Sequence, residues 1–109
     1  MSGIVAFAMM QRNTALLYDK RWQQQLLAFS LENLQSQSFA MQSMQQSTEP
    51  NSPYYILFQQ QLAALYQLEK HIRLQQQQIQ QQITVLEASS ESQQKIVENW
   101  SKKAFSYFA

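Results

Sequence analysis

Residues 47–55 read STEPNSPYY and contain both prolines of the chain, Pro50 and Pro53, while the one glycine sits far away at Gly3. The residues that punctuate secondary structure are thus gathered at 47–53, and a long segment without breakers lies on either side. Pro50, Asn51, Ser52 and Pro53 have the composition of a turn. Ser52 suits the N-cap of a helix carrying Pro53 at its first position, where the missing N–H has no helical partner to lose. The stretch therefore divides the chain into two arms, and a short proline-bounded loop between amphipathic helices favours an antiparallel hairpin.

Downstream, the segment LEKHIRLQQQQIQQQITVLE, residues 68–87, reads as a low-complexity tract until its apolar residues are counted off. Ile72, Ile79, Ile83 and Leu86 return to one side of an α-helix, so the glutamines are expected on its wet face. Phe58, Leu65, Ile72, Ile79, Leu86, Trp100 and Tyr107 lie on one seven-residue series that only Gln93 interrupts. Leu62, Ile83, Val97 and Ala104 occupy a companion series shared with Glu69, Gln76 and Ser90. The pattern is a coiled-coil-like seam whose polar interruptions set register at a cost in stability. Leu68 and Leu74 lie off the seam and widen the apolar face. Three acid-first pairs at i,i+4, Glu69 with Arg73, Glu91 with Lys95 and Glu98 with Lys102, support helix nearly to the last residues. Ser90 and Gln93 have the spacing of a capping box, which marks 88–92 as the place for a kink, although the lack of glycine and proline there favours continuity.

In the first arm Leu16, Leu17, Trp22, Leu26, Leu27, Phe29, Leu31, Leu34, Phe39, Met41 and Met44 form a broader, less regular stripe that still has helical period. The expected fold is all-α: one hairpin over 1–109, with a helix at about 4–46, a turn at 47–53 and a helix at about 54–107. At a rise of 1.5 Å per residue, arms of about 40 and 55 residues measure ~60 and ~80 Å. Counting outward from residue 50 sets Trp22 near Gln78 and Ile79, and sets Ile4, Val5, Phe7 and Met9 beside Val97, Trp100 and Phe105. Two helices cannot cover each other's wide faces, and an apolar strip left exposed marks an interaction surface.

Composition narrows the function classes. The net charge of +1 gives no electrostatic reason to expect nucleic acid, an anionic membrane surface or an acidic substrate, and the chain is 45% hydrophobic but only 14% charged, with glutamine making up about a fifth of it. With no cysteine there is no disulfide, thiolate ligand or cysteine nucleophile. The run GIVAFAMM, residues 3–10, has no basic residue before it and is followed by Gln11, Arg12 and Asn13, which does not fit a cleaved signal. A spanning helix needs ~20 apolar residues, and no stretch approaches that, so stable membrane insertion is not expected.

No motif points to catalysis, a cofactor or a metal. His71 is the one histidine and reads as a solvated or interface residue. Glu32, Glu69, Glu87, Glu91 and Glu98 are spread along the arms, whereas acid–base catalysis needs paired carboxylates. One glycine cannot build a phosphate loop. The mixture NWSKKAFSYFA, residues 99–109, can stack on bases or sit at a membrane interface, yet its simpler reading is helix packing.

The segment EPNSPYYILFQQQLAALYQLEKHI, residues 49–72, resembles the middle of type III secretion needle subunits, which are small helical hairpins with a proline-bounded turn. Pro50 and Pro53 match the turn prolines, Asn51 and Ser52 fill the middle places in reversed order, and Phe58, Gln59, Leu62 and Tyr66 follow the helix pattern. The resemblance implies a homopolymeric extracellular tube, exported without a cleaved signal and built with the C-terminal helix inside. This chain is longer and richer in glutamine than a typical needle subunit, and it ends in aromatics. The whole chain also resembles short Gln-rich coiled-coil proteins of gut bacteria, a likeness that supplies no activity.

The reading that follows is a non-enzymatic structural subunit that associates with itself, in the needle-like case as an extracellular filament or tube. The self-association seam is assigned to Phe58, Leu62, Leu65, Ile72, Ile79, Ile83 and Leu86, and the assembly end to Ile4, Val5, Phe7, Val97, Trp100, Phe105 and Phe108. The alternative is a cytoplasmic coiled-coil adaptor, chaperone or secretion-apparatus stalk that binds another helical protein.

Overall fold

A computed structural model of the chain describes residues 2–108, the side chain of Phe108 excepted. It is an all-α helical hairpin of two elements, α1 (Gly3–Gln46) and α2 (Pro53–Phe108). Ser2 caps α1, its hydroxyl accepting the N–H of Val5 at 3.2 Å. At the other end of α1, the hydroxyls of Ser47 and Thr48 donate to the carbonyls of Ser43 and Met44, closing groups that a helix end leaves open.

The chain then reverses through Glu49–Ser52, where the N–H of Ser52 donates to the Glu49 carbonyl at 2.9 Å. Pro50 takes the second position of this turn, which its fixed φ suits. No residue of the turn has positive φ, so the reversal needs no glycine and excludes the type II geometry. Ser52 caps α2 as expected, accepting the N–H of Tyr54 at 3.2 Å with Pro53 at the first helical position.

α2 runs unbroken through 88–92. Its sequence explains why the capping box does not form. Gln93 is buried, and its side-chain carbonyl accepts from Asn13 across the hairpin, which takes it away from Ser90. The expected pairs Glu69–Arg73 and Glu91–Lys95 form at 2.9 and 3.8 Å. The Glu98–Lys102 pair does not; Glu98 instead accepts from the Gln94 amide.

The chain divides into two compact halves: an open-end half, residues up to 23 with those from 79 onward, and a turn-end half, residues 24–78. In the turn-end half the less exposed positions are Gln24, Leu27, Leu31, Leu34, Ser38, Met41 and Gln45 on α1. Those on α2 include Tyr55, Phe58, Leu62, Leu65, Glu69, Ile72 and Gln76. In the open-end half they include Gly3, Ala6, Met10, Asn13, Leu17 and Lys20, with Ile79, Ile83, Leu86, Ser90, Gln93, Val97 and Ala104. Each series alternates steps of three and four, the coiled-coil period. The α2 series matches the sequence expectation from Phe58 to Val97, but Trp100 and Tyr107 of the expected series are exposed. The α1 series does not: its true seam is narrower than the expected stripe, and Trp22, Leu26, Phe29, Phe39 and Met44 lie on the exposed surface.

The register also differs from a plain count outward from the turn. That count sets Arg21 opposite Ile79, yet the Arg21 guanidinium meets Glu87 at 3.1 Å. Side chains on a helix lean toward its N-terminus, so in an antiparallel pair those of α1 lean to the open end and those of α2 to the turn. Contacting residues on α2 must therefore lie further from the turn than the count predicts. Long pairs such as Arg21–Glu87 are displaced by about two helical turns, and short ones such as Asn13–Ser89 by less.

Close approach at the open end depends on Gly3. A Cβ placed there would collide with the Cβ, Cγ and Cδ2 of Trp100. Because Trp100 Cβ is among the colliding atoms, rotating the ring cannot relieve the clash. Gly3→Ala should therefore destabilise the hairpin by about 1–3 kcal/mol through overpacking, offset by up to about 1 kcal/mol of helix propensity. The check is urea unfolding of both proteins with Trp22→Phe in the background, so that Trp100 reports; equal midpoints would contradict it.

Candidate functional site

The seam is thin. Among the described residues its buried apolar members are Ala6, Leu17, Leu62 and Ile83, joined by the polar Ser38 and Gln93, and no large side chain is fully enclosed. Leu62 and Ile83 of the sequence-assigned association seam are buried, and Phe58, Leu65, Ile72, Ile79 and Leu86 are half-buried. All seven thus lie toward α1 of the same chain. In the assigned assembly end, Ile4, Val5, Phe7, Trp100 and Phe105 are exposed, Val97 is half-buried, and the Phe108 side chain lies outside the described residues. Pro50, Asn51 and Pro53 are exposed at the turn.

Asn13 makes a part-buried cross-helix polar contact in the open-end half. Its amide N–H groups donate to Ser89 Oγ at 3.1 Å and to Gln93 Oε1 at 3.0 Å. Both contacts are part-buried, so the low local dielectric strengthens them and penalises any register that would break them. Gln93 was legible as the break in the α2 series. Asn13 was not, because nothing marks a lone asparagine inside an irregular stripe as an inward position. In the turn-end half, the buried Ser38 Oγ has no partner, and Glu69 stays on the seam with its carboxylate bound by Arg73.

Large apolar side chains are abundant outside. Tyr18 and Trp22 project from the open-end half, and Leu26, Phe29, Phe39, Leu68 and Leu74 from the turn-end half, with Phe39 73% exposed. Beside the seam of the turn-end half, Ala40, Met41 and Met44 face Ala64 and Leu65 across a groove of about 430 Å³ edged by Gln37 and Gln61. Small alanines and adaptable methionines thus share its lining. At the open end the exposed set is Ile4, Val5, Phe7, Met9, Trp100, Phe105 and Tyr107.

His71 is exposed, and among the described residues no three of His, Cys, Asp and Glu are grouped to hold a metal ion. No helix of the described residues is long and apolar enough to cross a membrane. Ion pairing is peripheral: Arg21 and Glu87 are each 52% exposed, and such pairs contribute roughly 0.2–1 kcal/mol. No protein-family model, curated protein or solved structure matches the chain.

Two seam substitutions should move stability in opposite directions. Asn13→Ala leaves Gln93 buried without its donor and should cost about 1–3 kcal/mol. Ser38→Ala removes an unpartnered buried hydroxyl and should be neutral or stabilising by up to about 1 kcal/mol. Thermal unfolding followed by circular dichroism separates the two, and a loss of stability in Ser38→Ala would contradict the account of that position.

Proposed function

We propose that the chain is a non-enzymatic structural subunit, a helical hairpin that associates with copies of itself through the outward faces of its helices. The observation that carries this reading is the inversion of ordinary burial. Among the described residues four hydrophobic ones are buried, while Tyr18, Trp22, Phe29, Phe39 and many other large apolar side chains face out. The accessible surface is 8376 Å² for a mass of 12.8 kDa, against about 6,300 Å² for a folded monomer of that mass. The surplus of about 2,000 Å² per chain would place a dimer that buried it in the class of obligate interfaces.

On this reading the inward seam holds one hairpin together, and the outer aromatics and the turn-end groove join hairpins. A groove on one copy that receives an outer ridge of the next is a heterologous contact, which propagates into a filament or tube unless rotation closes it. The resemblance of residues 49–72 to needle subunits supports the same direction. The groove also supports a second reading, an adaptor in which a helix of another protein fills it.

The test is light scattering and sedimentation across a concentration series, with negative-stain imaging of the same samples. Growth into uniform rods or tubes is expected, and a well-folded monomer at high concentration would overturn the proposal. A fixed small oligomer would favour the adaptor. Phe29→Gln with Phe39→Gln should retain helix and weaken association by roughly tenfold or more, since buried aromatic anchors commonly contribute above 1–2 kcal/mol each.

A further inference from the structure

The exposed apolar residues of the open end are distributed differently from those on the outer faces. Ile4, Val5, Phe7 and Met9 are all exposed, and at 100° per residue they spread over about 200° of α1, leaving the remaining side to Gly3 and Ala6 at the seam. A helix packed alongside covers one stripe and would leave the rest of this set bare. A medium entered end-on covers every side of whatever part of the end reaches it.

Charge is sorted in the same way. From Ser2 to Tyr18 and from Asn99 to Phe108 the residues include Arg12, Lys102 and Lys103, and all seven Asp and Glu of the chain lie elsewhere. The nearest carboxylate, Glu98, accepts from Gln94, and no ion pair forms to Lys102 or Lys103 among the described residues. Each lysine sits beside aromatic surface. Lys103 lines a shallow concavity with Trp100 and Tyr107, and Lys102 lines another with Phe105.

We infer that the open end is a peripheral docking site for an anionic phospholipid surface. Trp and Tyr rings suit the headgroup level, where one edge is wet and the other apolar. Lysine stems can lie along apolar surface while their ammonium groups reach lipid phosphates. The interfacial layer is ~5–10 Å deep, which takes in about the last three to seven residues of α2 entering end-on, Lys102, Lys103, Phe105 and Tyr107 among them, and requires no spanning segment. The first turn of α1, whose Gly3 lies against Trp100, sits at the outer edge of that layer. Charge also decides between lipid and a second copy. Two open ends meeting would bring Lys102 and Lys103 of one against those of the other, whereas an anionic surface attracts all of them.

The experiment is flotation of the full chain with phosphatidylcholine vesicles, with and without roughly one third phosphatidylglycerol. A Trp22→Phe background leaves Trp100 as the sole tryptophan, to be read by emission shift and by quenching with brominated lipid. Binding to the anionic vesicles, a blue shift and strong quenching are expected. Lys102→Gln with Lys103→Gln should reduce binding by roughly tenfold or more, and Phe105→Ser with Tyr107→Ser should abolish the quenching while circular dichroism stays helical. The inference is overturned if anionic vesicles do not bind the protein, or if the double-lysine variant binds as well as the parent. It is also overturned if the open-end variants change the oligomeric state of the lipid-free protein, which would make this end a protein interface. The Phe29 and Phe39 substitutions test self-association separately.

Discussion

Two helices can each present one stripe to the other, and everything else in this molecule follows from how little that stripe holds. Between Gly3, Ala6, Asn13, Ser38 and Ala104 the seam offers small or polar side chains at positions where a larger protein would place leucine. Small residues let the backbones approach, as the contact of Gly3 with Trp100 shows. They also displace bulk from the inside to the outside. With no large side chain fully buried among the described residues, the hairpin draws its stability from many half-buried contacts repeated along two long helices. Each of those contacts contributes less than full burial would.

A repetitive seam has a register problem, because sliding by one heptad preserves the hydrophobic match. The polar positions break that degeneracy. Asn13 finds both Ser89 and Gln93 in the observed alignment, and a slipped alignment would leave buried amides facing apolar carbon. Arg21 and Glu87 add little energy at their exposure, but they agree with the same register. Ser38 plays no such part, since its hydroxyl bonds to nothing; what it contributes to the seam is small volume.

The asymmetry between the arms explains what could be read from sequence. The turn was legible because prolines and a capping serine have few alternative meanings. The α2 seam was legible because Phe58, Leu65, Ile72, Ile79 and Leu86 are the most regular apolar residues in that arm, which also put the glutamines outside. In α1 the signal is reversed: Trp22, Phe29 and Phe39 are more hydrophobic than Asn13, Lys20, Gln24 and Ser38, yet the second group lies nearer the seam. Hydropathy locates the face that avoids water, and that face need not be the one a single chain can cover. Side-chain lean, invisible to a residue count, shifted the register. The free Lys102 was hidden by the assumption that Glu98 would take it.

The same reversal bears on function. A thin seam beneath aromatic outer faces is a poor arrangement for a solitary monomer, so selection for folding alone does not account for it. Outer aromatics spaced along the helices suit lateral neighbours, each covering one stripe. The open end differs because its apolar residues spread over more of α1 than one stripe and its cations lack carboxylates. Lateral packing would neither cover the first nor neutralise the second. If hairpins pack side by side on the proposed reading, parallel neighbours bring their open ends together and concentrate lysines at one edge. Antiparallel neighbours in full overlap set that cationic edge beside the turn of the next hairpin. An anionic surface would therefore favour the parallel arrangement, because only there do all the cations face it at once. The two proposals are in this way coupled through geometry while resting on different residues.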